Sequence, residues 1–123
     1  KFKNINDTYG HDVGDEVIKR LARNLVEYLR GSDVVARLGG EEFAVILPDS
    51  SISNAQNKAE DIRSKIENLE FKLENSPTIK FTVSIGVSKY NEEEDITFDY
   101  ILKRADDALY EAKENGRNKV VVN

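Results

Sequence analysis

The chain has 123 residues, of which 39% are hydrophobic and 33% charged, and its net charge is −5. This length and composition predict one globular domain with a single core. The acidic balance argues against nucleic acid or a membrane surface as a partner, because both favour a basic face. With no cysteine and one histidine, disulfides, thiolate metal sites and multi-histidine zinc sites are excluded.

The chain contains no methionine and begins at Lys1. Since removal of an initiator methionine usually exposes a small residue, we expect the natural protein to begin upstream. No secretory signal opens the chain, and no apolar run approaches the roughly 20 residues that span a bilayer. We therefore expect a cytoplasmic domain, in a protein that is free to carry a membrane anchor elsewhere.

The first half predicts a loop, a helix and a hairpin. Residues 4–15 hold two glycines, two asparagines and three aspartates, a composition typical of an ordered loop. Apolar residues then recur at spacings of three and four from residue 17 to 29, which predicts a helix. The apolar runs 34–38 and 43–47 flank a Gly-Gly pair, which predicts a β-hairpin. Both faces of the second run are apolar, so we expect a central strand.

The second half repeats the alternation of helix and strand. Residues 55–69 have helical spacing, and residues 79–87 alternate like a strand with one buried face. A third helix covers residues 101–112 and ends near Gly116, and Val120 to Val122 form a last strand. This order predicts an α/β fold with helices packed on a mostly antiparallel sheet.

The tip of the predicted hairpin, Gly39-Gly40-Glu41-Glu42-Phe43, combines a tight turn with two acids. Glycines let the backbone come close to a bulky ligand. Neighbouring strand residues point to opposite faces, so one of Glu41 and Glu42 faces a ligand while the other supports it. Carboxylates suit Mg²⁺ or Mn²⁺, which bind one or two of them plus substrate phosphates. The alternative is a solvated hairpin with two surface acids.

Two further clusters carry polar side chains. In the opening stretch, Asn6 and Asp15 have the groups that read a guanine edge, and Lys3 suits a phosphate. Alternatively, these groups cap turns and the helix start. Lys113 and Arg117 lie four residues apart around the end of the third helix. They either neutralise that helix end or converge on a triphosphate, and spacing alone does not choose.

Four segments together resemble the GGDEF domain of diguanylate cyclases, in order and over nearly the whole chain: Phe2–Asp15, Arg37–Phe43, Val83–Val87 and Ala105–Asn118. The resemblance implies a fold similar to the palm-like, ferredoxin-like domain of nucleotidyl cyclases. It also implies condensation of two GTP into cyclic di-GMP with release of two pyrophosphates. In this family a metal ion, Mg²⁺ or Mn²⁺, assists attack of a 3′-hydroxyl on an α-phosphate.

The resemblance also implies roles for individual residues. Glu41 matches the acid that binds the metal and is proposed as the general base, and Glu42 matches the supporting acid. Lys3 matches the lysine that contacts phosphate and stabilises the transition state. The remaining substrate contacts are guanine readers, phosphate contacts and the turn glycines, here Asn6, Asp15, Lys113, Arg117, Gly39 and Gly40.

A regulatory match precedes the hairpin. Arg30 and Asp33 have the R-x-x-D spacing of the site where the family binds cyclic di-GMP as an inhibitor. An arginine can bond the Hoogsteen edge of guanine, and an aspartate can accept from its Watson–Crick edge. The alternative is an arginine in the last helical turn and an aspartate in the following turn.

The resemblance has one departure. In the family, a helix and a strand with a second metal-binding Asp precede the segment that begins here with Phe2-Lys3. We therefore expect residues 1–123 to be a GGDEF domain incomplete at its N-terminus, with only one half of the metal site. The family implies a homodimer and an N-terminal sensory domain. The alternative function is a non-catalytic receptor for cyclic di-GMP or GTP.

Overall fold

The computed structural model describes residues 7–39, 42–73, 77–93, 95 and 97–123. Within these ranges, helices and strands alternate as the sequence predicts: α1 (His11–Tyr28), β1 (Val34–Gly39), β2 (Glu42–Ile46), α2 (Ile52–Glu67), β3 (Ile85–Val87), α3 (Phe98–Glu114) and β4 (Val120–Val122). The mixed helix and strand class is thus confirmed. Internal contacts divide the chain into two compact units, one of Lys1–Asp49 and Glu70–Lys80, the other of Ser50–Leu69 and Phe81–Asn123.

Helix α1 supplies the buried face of the first unit. Its inner side is lined by Val17, Ile18, Leu21 and Leu25, none of them more than 7% exposed. Burying each such side chain stabilises the fold by about 1.5–3 kcal/mol. The spacing of these residues is the spacing that predicts the helix, so its apolar face is confirmed.

The start of α1 corrects the prediction of a loop over residues 4–15 for residues 7–15, whereas residues 4–6 lie outside the described residues. Residues 7–9 are helical, Gly10 separates them with φ 94°, and α1 begins at His11. Glycine and aspartate favour turns in isolation, but here Asp12 lies in the first turn, where an acid stabilises the helix dipole. Gly14 is buried on the inner face, where a small residue is tolerated because packing outweighs its low helix propensity.

Strands β1 and β2 form the predicted hairpin. They pair antiparallel, with Val34 opposite Ile46 and Gly39 opposite Glu42, and the register shifts between Arg37 and Gly39. The expectation that β2 is central is not met within the described ranges, where β2 pairs only with β1. Ile46 is accordingly 44% exposed.

The second unit packs α2 and α3 with the β3–β4 pair. Ser51 caps α2 through a hydrogen bond from the Asn54 N–H to its Oγ, at 3.1 Å. Strands β3 and β4 are parallel, with Ile85 opposite Val120. The two helices bury small and branched side chains, namely Ala59, Ile62, Ile66, Ala108 and Ala112.

Gly86 fixes how closely α3 approaches β3. A Cβ atom built on it would lie 2.1 Å from the Ala105 carbonyl oxygen and 2.4 Å from the Leu109 nitrogen. Contacts of that length do not occur, so only glycine lets the helix backbone lie against the strand here. The close approach sets the position of α3, whose end carries Lys113.

Strand β3 is shorter than predicted. Only Ile85–Val87 is strand, although Ile79 and Phe81 are both buried as the alternation predicts. Ile79 instead forms an isolated antiparallel bridge with Phe71. No helix in the described ranges is long and apolar enough to cross a membrane.

Candidate functional site

The hairpin places the first predicted site at its tip. Gly39 ends β1, Glu42 begins β2, and the two are paired across the ladder. Glu42 is exposed, so its carboxylate is open to a ligand from solvent. Gly40 and Glu41 lie outside the described residues, and the role of Glu41 stays a prediction.

Of the two predicted guanine readers, the structure describes only Asp15, because Asn6 lies outside the described residues, as does the predicted phosphate contact Lys3. Asp15 lies in the second turn of α1, directly after buried Gly14, and is itself exposed. Its carboxylate has no hydrogen-bond partner in the part of the chain that the structure describes. The alternative role, capping the helix start, is not what Asp15 does, since α1 begins four residues earlier.

The structure brings Arg30 and Asp33 together in the turn before β1. The Arg30 N–H donates to Asp33 Oδ2 at 2.8 Å, and Arg30 Nη2 lies 3.3 Å from Asp33 Oδ1. Arg30 Nη2 also donates to the Pro48 carbonyl at 3.3 Å. The two side chains differ in environment: that of Arg30 is 62% exposed and that of Asp33 only 1%. Asp33 therefore closes the turn, and Arg30 is the member that reaches solvent.

Lys113 and Arg117 follow the end of α3. Lys113 lies in its last turn, and the helix ends at a cap on Asn115. Gly116, with φ 108°, and Arg117, with φ 63°, then reverse the chain. Within the described ranges neither cationic side chain makes a hydrogen bond or an ion pair. Both charges therefore remain available to an anionic ligand.

A network on α2 is a feature that the sequence reasoning missed. Arg63 Nε donates to Glu60 Oε1 at 2.6 Å, and Arg63 Nη1 lies 3.3 Å from Glu67 Oε1. Arg63 Nη1 also donates to Asn118 Oδ1 at 2.8 Å, and Asn118 Nδ2 donates to Glu67 Oε2 at 2.6 Å. Acid and base at spacings of three and four do indicate helix ion pairs. No local pattern predicts the contact with Asn118, which is 55 residues away.

The network shifts the ionisation of its members. The hydrogen bond from Arg63 holds the pKa of Glu60 below its usual range. The pKa of Glu67 is also lowered, first by the hydrogen bond from Asn118 and then by that from Arg63. The same contacts, led by the one with Glu60, raise the pKa of Arg63. All three groups are thus held in their charged forms.

A second unforeseen ion pair anchors the segment before α3. Arg104 Nη2 contacts Asp95 Oδ2, and the side chain of Asp95 is only 1% exposed. The Asn91 N–H also donates to Asp95 Oδ2, at 2.6 Å. Nothing in the sequence distinguishes Asp95 from the other acids of residues 91–95. The structure shows that one of those acids is buried and holds the loop to α3.

The donor chemistry around the hairpin fits a hard divalent cation. The acids at the tip offer only oxygen, and the chain has no cysteine. Among the described residues no three His, Asp or Glu side chains lie where they could hold a metal.

Comparison with known proteins identifies the family. The family model described as diguanylate cyclase, GGDEF domain, matches residues 1–119. The chain is 47% identical over 121 residues to diguanylate cyclase DgcM of Escherichia coli, covering 98% of this chain and 28% of that protein. The chain therefore belongs to the GGDEF family.

Two solved structures share its fold. The GGDEF domain of DgcB from Caulobacter crescentus, solved with c-di-GMP, superposes with a TM-score of 0.90 at 35% identity, over 98% of this chain and 71% of that one. The active GGEEF domain of a diguanylate cyclase from Vibrio cholerae has a TM-score of 0.86 at 36% identity, over 99% of this chain and 76% of that one. The chain spans only 26–32% of the length of the curated relatives it matches.

Proposed function

We propose that residues 1–123 form part of the catalytic domain of a diguanylate cyclase, which condenses two GTP into cyclic di-GMP and two pyrophosphates. The observation that carries the proposal is the segment Gly39-Gly40-Glu41-Glu42-Phe43 at a hairpin tip. It has the five-residue sequence for which the active domain from Vibrio cholerae is named. A relative 47% identical over nearly this whole chain is itself a diguanylate cyclase.

Each half of the reaction forms one bond and breaks one. The 3′-oxygen of one GTP bonds to the α-phosphorus of the other, and the bond from that phosphorus to the bridging oxygen of pyrophosphate breaks. Glu41 accepts the proton of the 3′-hydroxyl as general base. In the second half, the 3′-oxygen of the other GTP attacks the α-phosphorus of the first, which closes the ring. Two GTP-loaded copies of the domain must therefore face each other.

A divalent cation, Mg²⁺ or Mn²⁺, would be held by Glu41 with support from Glu42. When bound, it neutralises charge on the triphosphate and helps to activate the nucleophile. The chain is acidic, so positive charge at the phosphates comes from particular side chains. These are Lys113, Arg117 and Lys3. Their lack of protein partners in the described ranges supports this role for Lys113 and Arg117.

The guanine base of GTP is recognised by amide and carboxylate groups. Asp15 accepts from N1–H and the exocyclic amine of guanine, and Asn6 bonds the remaining edge. The exposed position of Asp15 on α1 supports the assignment. Recognition by these groups favours GTP over ATP, because adenine has no N1–H and no 2-amino group.

Product feedback is the second part of the proposal. Cyclic di-GMP binds at Arg30, whose guanidinium bonds the Hoogsteen edge of a guanine. Asp33 holds the turn that presents Arg30, since its carboxylate is already bonded to the Arg30 N–H. The mostly exposed Arg30 side chain supports this division of roles.

Turnover by the full-length protein tests the catalytic proposal. With GTP and Mg²⁺ we expect cyclic di-GMP to form, and Glu41→Gln to lower the rate by about 100-fold or more, the usual contribution of a general base. Glu27→Gln removes an equal charge from an exposed position on α1 and is the control. Product formation by Glu41→Gln within a few-fold of the parent would contradict the assignment. Binding of cyclic di-GMP with no turnover would favour the receptor function instead.

A further inference from the structure

Arg117 occupies a backbone conformation that it does not favour. It has φ 63° and is followed by Asn118 with φ 47°, so two successive residues with side chains are left-handed. Asparagine tolerates this region, whereas arginine seldom adopts it. Such a conformation persists only where neighbouring contacts impose it.

The contacts that impose it converge on Asn118. Its side-chain oxygen accepts from Arg63 Nη1 at 2.8 Å, and its side-chain nitrogen donates to Glu67 Oε2 at 2.6 Å. Its backbone N–H donates to Ser84 Oγ at 3.2 Å. Both ends of the amide and the main chain are therefore held, by α2 on one side and by the residue before β3 on the other.

Arg63 is itself held in place. Its guanidinium bonds Glu60 and Glu67, and its side chain is only 17% exposed. On the other side of Arg117, its own N–H donates to the Ala112 carbonyl at 2.9 Å, which ties it to the end of α3. The backbone of Arg117 is thus fixed on both sides, whereas its side chain has no partner in the part of the chain that the structure describes.

We propose that Glu67, Arg63 and Ser84 are positioning residues that, by clamping Asn118, aim Arg117 at the triphosphate of GTP. The proposal rests on the phosphate-binding role of Arg117 proposed above. Preorganising a cation in its bound geometry strengthens binding, because less conformational freedom is lost on association. The clamp touches no substrate and acts only through Asn118 and Arg117.

A carboxylate introduced at position 118 of the full-length protein tests the clamp, by which we mean the contacts of Arg63, Glu67 and Ser84 with Asn118. Asn118→Asp keeps the size, the tolerance for positive φ and the acceptor for Arg63, but places a carboxylate against Glu67. We expect the KM for GTP to rise about fivefold or more, since an attraction becomes a repulsion, with kcat within about twofold. In the double variant Asn118→Asp, Glu67→Gln, the amide introduced on α2 donates to the carboxylate introduced after α3, so KM should return to within about twofold of the parent.

Matched variants separate this effect from a general loss of structure. Asp61→Asn removes one charge from α2 at similar exposure, 45% against 41% for Glu67, and should leave KM unchanged. Ser84→Ala removes one contact to Asn118 without a charge and should raise KM about two- to threefold; it decides the question if Asn118→Asp does not fold. The unfolding temperature of each variant is measured alongside.

The outcomes distinguish this inference from the proposed function. An unchanged KM in Asn118→Asp, or a rise that Glu67→Gln does not reverse, overturns the clamp. Arg117→Ala should raise KM by at least as much as Asn118→Asp. If Arg117→Ala raises KM and Asn118→Asp does not, only the clamp fails. If Arg117→Ala leaves both KM and the binding of a fluorescent GTP analogue unchanged, the phosphate role of Arg117 itself fails.

Discussion

Arg30 and Asp33 are three residues apart, and their side chains lie in different environments. The resemblance to the family predicts that both side chains contact guanine. In the structure, the Asp33 carboxylate is buried and accepts the Arg30 N–H at 2.8 Å, whereas the guanidinium of Arg30 is mostly exposed. A buried acceptor that already has its donor gains little by exchanging it for a ligand. At the scale of the residue, the proposed regulation therefore depends on Arg30, and Asp33 shapes the turn.

Replacing Arg30 tests that assignment. We expect Arg30→Ala to raise the concentration of cyclic di-GMP that half-inhibits turnover by about tenfold, the effect of losing one bidentate contact to a base. Initial rates of cyclic di-GMP formation by the full-length protein at increasing added product give the value. Arg23→Ala changes an exposed arginine of α1 and serves as the control. Equal inhibition of Arg30→Ala and the parent would remove the regulatory proposal.

Helix α2 shows how one element links distant parts of its unit. Its inner face buries Ala59, Ile62 and Ile66, which is the part that the apolar spacing predicts. Its flank carries Glu60, Arg63 and Glu67, and Arg63 and Glu67 reach Asn118 after α3. A helix thus contributes packing on one stripe and polar contacts on the next.

The lowered pKa values of Glu60 and Glu67 predict a dependence of stability on pH. Both carboxyls bind protons less readily when folded than their usual value of 4.5 implies. Their contribution to stability is therefore present above about pH 4.5 and is lost as pH falls through the folded values. We expect the free energy of unfolding to fall less steeply below pH 4.5 in Glu67→Gln than in the parent. Denaturant titrations at pH 7 and pH 3.5 give the loss of unfolding free energy between the two pH values for each protein. An equal loss in Glu67→Gln and the parent would contradict the contribution of Glu67.

At the scale of the whole molecule, charge sets the conditions for function. The chain carries −5, and GTP is itself highly anionic, so a bare encounter between them is unfavourable. The charges that we propose compensate for this are those of Lys113 and Arg117, whose side chains have no partner in the described ranges, and of the divalent metal that the GGDEF family implies.

Metal removal tests that requirement. With EDTA in excess over Mg²⁺, we expect cyclic di-GMP formation by the full-length protein to fall to background, and added Mg²⁺ or Mn²⁺ to restore it. The unfolding temperature in the same buffers controls for loss of the fold. Turnover that persists in EDTA would show that the acids at the hairpin tip act without a cation.

The sequence by itself determined the family, the three helices, the hairpin and the last strand. These features follow from the order of the motifs and from the periodicity of apolar residues. Motif order and periodicity are local properties of the sequence and do not depend on distant neighbours. It also determined which residue types are available for chemistry: carboxylates at Glu41 and Glu42, and cations at Lys113 and Arg117.

The tertiary structure alone decided what depends on distant neighbours. The start of α1 is helical although glycine and aspartate favour turns, because burial of Gly14 and Val17 outweighs local preference. The ion pair of Asp95 with Arg104 and the contacts of Arg63 and Glu67 with Asn118 join residues that no period or spacing connects. A hydrogen bond needs two atoms within about 3 Å, and only the folded chain brings them there.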